Sequence, residues 1–172
     1  YARAIRHTPE HLSAHLNLAT CYLAIEDSVH AYQALEKALQ IDPNSAKAWY
    51  ALAIYHQDRN SLASRQALEQ AFILSPQEFG VDYFNLGNAA QLEGRTEEAL
   101  RIFAQVLEAL PDFHEAHFNL GKIHYDRNGF ESALPHFLRA SDLNPYDLES
   151  LQALAITLEN LGRPGQSIQI YN

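Results

Sequence analysis

Five prolines recur along the chain at a nearly constant interval, and this spacing constrains the fold more than any other feature. Pro9, Pro43, Pro76, Pro111 and Pro145 are separated by 34, 33, 35 and 34 residues. A fixed period of this length is the sequence signature of stacked supersecondary units. Because proline cannot continue the helix before it, we expect each one to end a unit and set the turn into the next.

Other positions of the period also recur when each proline is placed at position 32. Position 7 is always leucine, position 8 is alanine or glycine, and position 24 is a large apolar residue. A small residue at position 8 allows two helices to approach closely, and the residue at position 24 fills the remaining space. The sequence therefore predicts antiparallel helix pairs. In chain order, position 8 holds Ala19, Ala53, Gly87, Gly121 and Ala155, and position 24 holds Leu35, Leu68, Phe103, Phe137 and Tyr171.

The pattern resembles the tetratricopeptide repeat family. Residues 83–87 (YFNLG) and 94–100 (GRTEEAL), followed by Phe103 and Pro111, are similar to a consensus repeat. The resemblance implies an all-α fold, a right-handed superhelix (α-solenoid) of antiparallel helix pairs in one domain. We expect residues 1–11 to end a preceding repeat, followed by repeats at 12–45, 46–78, 79–113, 114–147 and, truncated, 148–172.

Each repeat should contain two helices joined by a short turn. Gly94 and Gly162 mark that turn, and Gly129 marks it one place later. Pro135 lies inside a helix and should kink or delay it. We expect first helices near 12–25, 46–58, 80–93, 114–127 and 148–161, and second helices near 28–41, 61–74, 96–109, 130–143 and from 164 onward.

Composition and charge argue against several classes of function. The net charge is −9 and no Lys/Arg cluster is present, which disfavours nucleic acid and direct membrane binding. The single cysteine cannot form an internal disulfide, and no apolar run approaches the roughly 20 residues of a membrane span. We expect a cytoplasmic location. The chain begins at Tyr1 without methionine, so we interpret it as part of a longer protein whose targeting signals need not lie in this piece.

No catalytic or cofactor motif is present in the sequence. Glycine-rich phosphate loops, GxSxG and HExxH are all missing, so we expect no enzymatic activity, no catalytic residues and no cofactor. The nine histidines suggest a metal site, but His15, His117 and His124 occupy positions where the family usually has an aromatic ring. We interpret them as packed rings and expect no metal site, so that Zn²⁺ should not raise the melting temperature.

The family resemblance places function on the first helices, which line the concave face with positions 2, 5, 6, 9, 12 and 13. Asparagine at position 6 resembles the asparagine ladder of O-linked N-acetylglucosamine transferases and residues in peroxisomal import receptors. An asparagine side chain can donate to a peptide carbonyl and accept from a peptide N–H, so it can hold an extended backbone. The candidate partner-binding residues are Asn17, Tyr50, Phe84, Asn85, Asn88, Phe118, Asn119 and Lys122.

These residues predict a protein–protein interaction scaffold that binds an extended peptide or a helix in a groove. Acidic residues collect toward the C-terminal end, which favours a basic partner there. Two readings of the candidates stay open, because Phe84 and Phe118 could instead turn inward to pack. Two functional alternatives also stay open: a non-catalytic arm of a larger enzyme such as a glycosyltransferase, and a scaffold that self-associates through exposed terminal helices. The cations that a chaperone-tail receptor of this family needs are missing.

Overall fold

The computed structural model describes residues 11–59 and 61–170, and every regular element in these ranges is an α-helix. The expected ends at residues 1–10 and at Tyr171 lie outside the described residues. The helices are α1 Leu12–Ala24, α2 Ser28–Ile41, α3 Ala46–His56, α4 Ser61–Leu74, α5 Pro76–Leu92, α6 Thr96–Ala109, α7 His114–Asp126, α8 Phe130–Leu143, α9 Leu148–Asn160 and α10 Pro164–Ile170.

Most helix boundaries agree with the sequence prediction to within one or two residues. Local chemistry explains why: the side chains of Asp27, Ser45 and Asp147 cap the helices that follow them by accepting backbone N–H groups. The exception is α5, which begins at Pro76 rather than at residue 80. The interval from Pro76 to Pro111 is 35 residues, one more than the usual 34, and α5 is longer at its start by about one turn. Pro76 tolerates the first helical position because no intrahelical hydrogen bond is lost there.

Several turns that join the two helices of a pair contain one residue in the left-handed conformation, and three of these residues, Gly94, Asn128 and Gly162, are 34 residues apart. Glu26, Gly94, Asn128 and Gly162 all have positive φ, between 59° and 76°. In the turn before α8 the left-handed residue is Asn128, one place before Gly129, because asparagine is among the few residues that accept this conformation. Helix α8 starts at Phe130, as expected from the repeat, and continues through Pro135. The predicted delay of this helix by Pro135 is therefore wrong.

The helices form two compact units, residues 1–83 and residues 84–172. In the first, α1 packs on α2 and α3 packs on α4; in the second, α7 packs on α8 and α8 on α9. Contacts between neighbours in sequence are what a stack of helix pairs requires. Ala19 and Leu35 belong to a buried cluster in the first unit, and Phe137 and Leu154 to one in the second.

Glycine at position 8 is coupled to phenylalanine at position 24. A Cβ on Gly121 would lie 2.8 Å from the ring of Phe137, and one on Gly87 would lie 2.5 Å from the ring of Phe103. Where position 8 is Ala19, the facing residue is the smaller Leu35. The phenylalanine ring therefore fits only because the facing helix has a glycine, without a side chain, at position 8. This keeps the two helices closely packed.

Candidate functional site

In the first unit, the two candidate residues differ in their surroundings. Asn17 on α1 is exposed. Tyr50 on α3 is partly buried, because its ring stacks on Phe79 at 4.7 Å and its hydroxyl donates to the Asp82 carboxylate at 3.3 Å. Burial and the neighbouring Asp82 carboxylate raise the pKa of Tyr50. Phe79 belongs to the extra turn of α5, so the added helical turn covers a side chain that the sequence placed in the groove.

Phe84 is buried rather than exposed. Only 7% of its surface is accessible, and its ring lies 5.3 Å from Phe103 and 5.0 Å from Phe113. The inward alternative therefore describes Phe84 correctly, since the loop residue Phe113 extends the aromatic cluster over it. Phe84 cannot offer an apolar contact to a partner without leaving this packing.

The second unit brings two predicted asparagines together. Asn119 on α7 donates its side-chain N–H to the side-chain oxygen of Asn88 on α5 at 2.7 Å. Both residues are partly buried, whereas Asn85, one turn before Asn88, is exposed. The bond leaves the second N–H and the carbonyl oxygen of Asn119, and the NH₂ group of Asn88, for other partners. The pair is therefore a fixed amide unit with both a donor and an acceptor still available.

A cavity of about 410 Å³ lies between α7 and α9 in the second unit. Its lining follows one face of each helix at intervals of three and four residues, as helical geometry requires. The predicted residues Phe118 and Lys122 belong to it, and Phe118 also contacts Phe137, with ring centres 5.8 Å apart. The other lining residues were not among the candidate binding residues, although the sequence had indicated that acidic residues collect toward the C-terminal end. They are Tyr125, Asp126, Phe137, Glu149, Gln152, Ala153 and Ile156.

Three charged groups line this cavity. In the described part of the chain, the side chains of Lys122, Asp126 and Glu149 have no hydrogen-bond or ion-pair partner. The hydroxyl of Tyr125 accepts from the side-chain amide of Asn160 at 3.1 Å, which joins α7 to α9 at the cavity wall. The site therefore combines an aromatic wall with two free carboxylates and one free ammonium group.

Three histidines form a separate cluster between α7 and α8. His117 lies with Nε2 3.0 Å from the backbone oxygen of Pro111, so this nitrogen must carry the proton. Its Nδ1 is then an acceptor for the Nδ1–H of His136 at 3.3 Å, and His124 stacks on His136 at 5.8 Å. Burial, together with His117 and His124, lowers the pKa of His136 to about 4. Within residues 11–59 and 61–170, no three His, Cys, Asp or Glu side chains, including these histidines, are arranged so that they could hold a metal ion.

This cluster predicts a loss of stability in mild acid. The unfolded His136 binds a proton below pH ~6.5 but the folded one binds it only near pH 4, so the free energy of unfolding should fall between these values. Because the ring is half-buried, we expect a loss of about 1 kcal/mol rather than the full effect of the shift. Urea unfolding at pH 7.5 and pH 5 would measure it. The free energy of unfolding of the His136→Gln variant should change less with pH. An unchanged pH dependence would contradict the assignment of this effect to His136.

Ser150, His114 and Asp147 lie close together but do not form a catalytic triad. The Ser150 hydroxyl and the Asp147 carboxylate both approach the same imidazole nitrogen, Nε2, at 3.2 Å. A triad needs the serine and the acid on opposite nitrogens of the ring. Burial acts to raise the pKa of Asp147, but hydrogen bonds from Ser150 and the proximity of His114 lower it on balance. Asp147 instead caps α9 by accepting from the Ser150 N–H.

Family profiles described as tetratricopeptide repeat match the chain. One matches residues 1–46 and 84–147, more than half of the chain, and another matches residues 34–71. A peroxisomal targeting signal receptor from Kluyveromyces lactis is 26% identical over all of this chain. The chain spans only 31% of that receptor's length.

Solved structures show the same fold. The MamA protein superposes with a TM-score of 0.60 at 16% identity, covering 95% of this chain and 90% of that one. YrrB, described as a TPR protein with an unusual peptide-binding site, superposes with a TM-score of 0.61 at 17% identity, covering 98% and 87% of the two chains. These likenesses confirm the predicted all-α solenoid fold of antiparallel helix pairs. None of the helices within residues 11–59 and 61–170 has both the length and the apolar character of a membrane span.

Proposed function

Because the chain belongs to the tetratricopeptide repeat family, we propose that it is a protein–protein interaction scaffold that holds an extended segment of a partner protein on its second unit. The division into repeats at residues 12–45, 46–78, 79–113, 114–147 and 148–172 is part of this proposal. So is the assignment of Asn85, Asn88, Asn119, Phe118 and Lys122 to the binding surface. The chain itself performs no catalysis, needs no cofactor or metal, and works in the cytoplasm.

The observation that carries the proposal is the hydrogen bond between Asn119 and Asn88. An extended peptide presents one C=O and one N–H at each peptide group, and the pair has both complementary groups available. Because the bond fixes both amides before the ligand arrives, less side-chain entropy is lost on binding. Backbone recognition of this kind is insensitive to the partner's side chains, so the neighbouring cavity must supply the selectivity.

Two comparisons support a peptide ligand. The relative from Kluyveromyces lactis is named as a receptor for a targeting signal, and YrrB is described as having a peptide-binding site. Since this chain covers a third of that receptor, the activity of the whole protein can include parts that this chain does not carry. Tyr50 and Phe84 are not part of the proposed surface because both contact other residues of the protein. Asn17 is exposed, but it lies on the first unit and therefore outside the proposed surface.

Selection from a library of random decapeptides displayed on phage tests the proposal. We expect selected peptides to bind the purified chain saturably with one peptide per chain. The Asn85→Ala/Asn119→Ala variant should retain few of them, because its backbone contacts are lost. Failure to enrich any peptide over an unrelated helical protein would contradict the proposal, and light scattering on the same sample would show whether the chain instead binds a second copy of itself.

A further inference from the structure

The cavity between α7 and α9 has walls of two chemical types. Phe118 and Tyr125 from α7 and Ile156 from α9 provide an apolar interior. Asp126 and Glu149 bring carboxylates to the same cavity from two different helices. An occupant that satisfies both types of wall must have an apolar body and a polar end.

Among the described residues, the two carboxylates of the cavity have no cation paired with them, unlike two other acids of this unit. Arg127, which follows Asp126 directly, turns away to Glu97 at 2.8 Å, and Arg139 pairs with Asp112. Asp126 and Glu149 have no such partner in the described ranges, and Lys122 is the one cation in the lining against two acids. The cavity therefore carries an excess of negative charge that the protein does not neutralise.

We propose that this cavity receives the side chain of a lysine or arginine from the bound segment. The proposal rests on the function proposed above and names the residue type that the site selects. The methylene stem would lie against Phe118 and Tyr125, where a cation also gains from the face of an aromatic ring. The charged end would lie between Asp126 and Glu149 and form charge-assisted hydrogen bonds.

Other side chains fit the cavity less well. An acidic side chain would be repelled by two carboxylates and attracted by only one ammonium group, so its binding would be unfavourable. A purely apolar side chain would displace water from Asp126 and Glu149 without replacing the lost hydrogen bonds. A cation is the occupant that uses both walls.

The spacing of the helices also predicts how far the basic residue lies from the peptide group that Asn88 and Asn119 bind. Asn119 and Phe118 are neighbours on α7, while the cavity extends from α7 toward α9. Adjacent first helices are separated by roughly one helix diameter, 10–12 Å, and an extended chain advances about 3.3–3.6 Å per residue. The basic residue should therefore lie about three positions from the peptide group held by Asn88 and Asn119.

The test uses the decapeptides selected on the wild-type chain. We expect lysine and arginine to exceed their frequency in the unselected library. Replacing the basic residue of one selected peptide by norleucine, which keeps the stem and removes the charge, should weaken binding by about tenfold or more. The Asp126→Asn/Glu149→Gln variant should bind the original peptide as weakly as the wild-type chain binds the norleucine peptide. It should also bind the two peptides with equal affinity.

A matched variant controls for overall charge. Glu131→Gln/Asp142→Asn removes two exposed carboxylates from α8 and should leave the affinity for the selected peptide nearly unchanged. Equal weakening by this variant, or selected peptides without enrichment of basic residues, would overturn the inference while leaving the proposed peptide binding intact. If no peptide is enriched at all, the proposed function fails, and this inference fails with it.

Discussion

The Gly121→Ala variant will unfold more easily than the wild-type chain, although alanine is normally the better helix former. The new Cβ would lie 2.8 Å from the ring of Phe137, which is itself only 2% exposed and has little room to move. Overpacking of this kind costs about 1–3 kcal/mol, against a gain of about 1 kcal/mol from helix propensity. We expect a net loss of up to about 2 kcal/mol in the free energy of unfolding, measured by urea denaturation.

A second substitution should recover part of this loss. Phe137→Leu alone leaves a cavity, but in Gly121→Ala/Phe137→Leu the smaller side chain makes room for the new methyl group, as Leu35 does for Ala19. The double variant should therefore be more stable than the sum of the two single effects predicts. Additivity within about 0.5 kcal/mol would contradict the coupling.

Gly165→Ala is a suitable control for this pair. Gly165 lies in α10, and a Cβ placed there would meet nothing within 4 Å. The substitution should stabilise the helix by up to about 1 kcal/mol or leave it unchanged. A loss at Gly121 together with no loss at Gly165 would show that the ring of Phe137, and not the removal of glycine as such, is responsible.

Much of the fold could be predicted from the sequence because helix ends have strong local causes. Proline, the capping side chains Ser45 and Asp147, and the residues with positive φ act over four or five positions. The start of α5 was missed because a one-residue insertion can lengthen either a turn or a helix, and Pro76 is compatible with both.

The candidate site was less predictable because a column of the repeat fixes a helix face but not the neighbours of each side chain. Position 5 holds Tyr50, Phe84 and Phe118, and these residues have three different environments. Tyr50 is covered by the added turn of α5, Phe84 is buried by Phe113, and Phe118 lines the cavity. The acidic lining could be foreseen from charge, whereas the contact between Asn88 and Asn119 required the actual distance between α5 and α7.

Peptide affinity should depend strongly on the asparagines of the second unit. Removing both side chains in Asn85→Ala/Asn119→Ala deletes the contacts of Asn85 and Asn119 with the ligand and leaves Asn88 without its fixed partner. Each lost hydrogen bond should cost about 0.5–1.5 kcal/mol, so affinity should fall by about fivefold to a hundredfold. Asn85 is exposed and Asn119 is only partly buried, so the fold should survive. Phe118 is a less suitable position for this test, because truncating its side chain would also disturb the packing of Phe137.

The most direct test is the dissociation constant of one selected, fluorescently labelled peptide, measured by anisotropy for three chains alongside their melting temperatures. These are the wild type, Asn85→Ala/Asn119→Ala, and the control Gln166→Ala/Gln169→Ala, which removes two exposed amides from α10. We predict that affinity falls only in the asparagine variant and that its melting temperature shifts by no more than a few degrees. Unchanged affinity in that variant would place the peptide on another surface, and a collapse of its melting temperature would show that these asparagines maintain the fold instead of binding a partner.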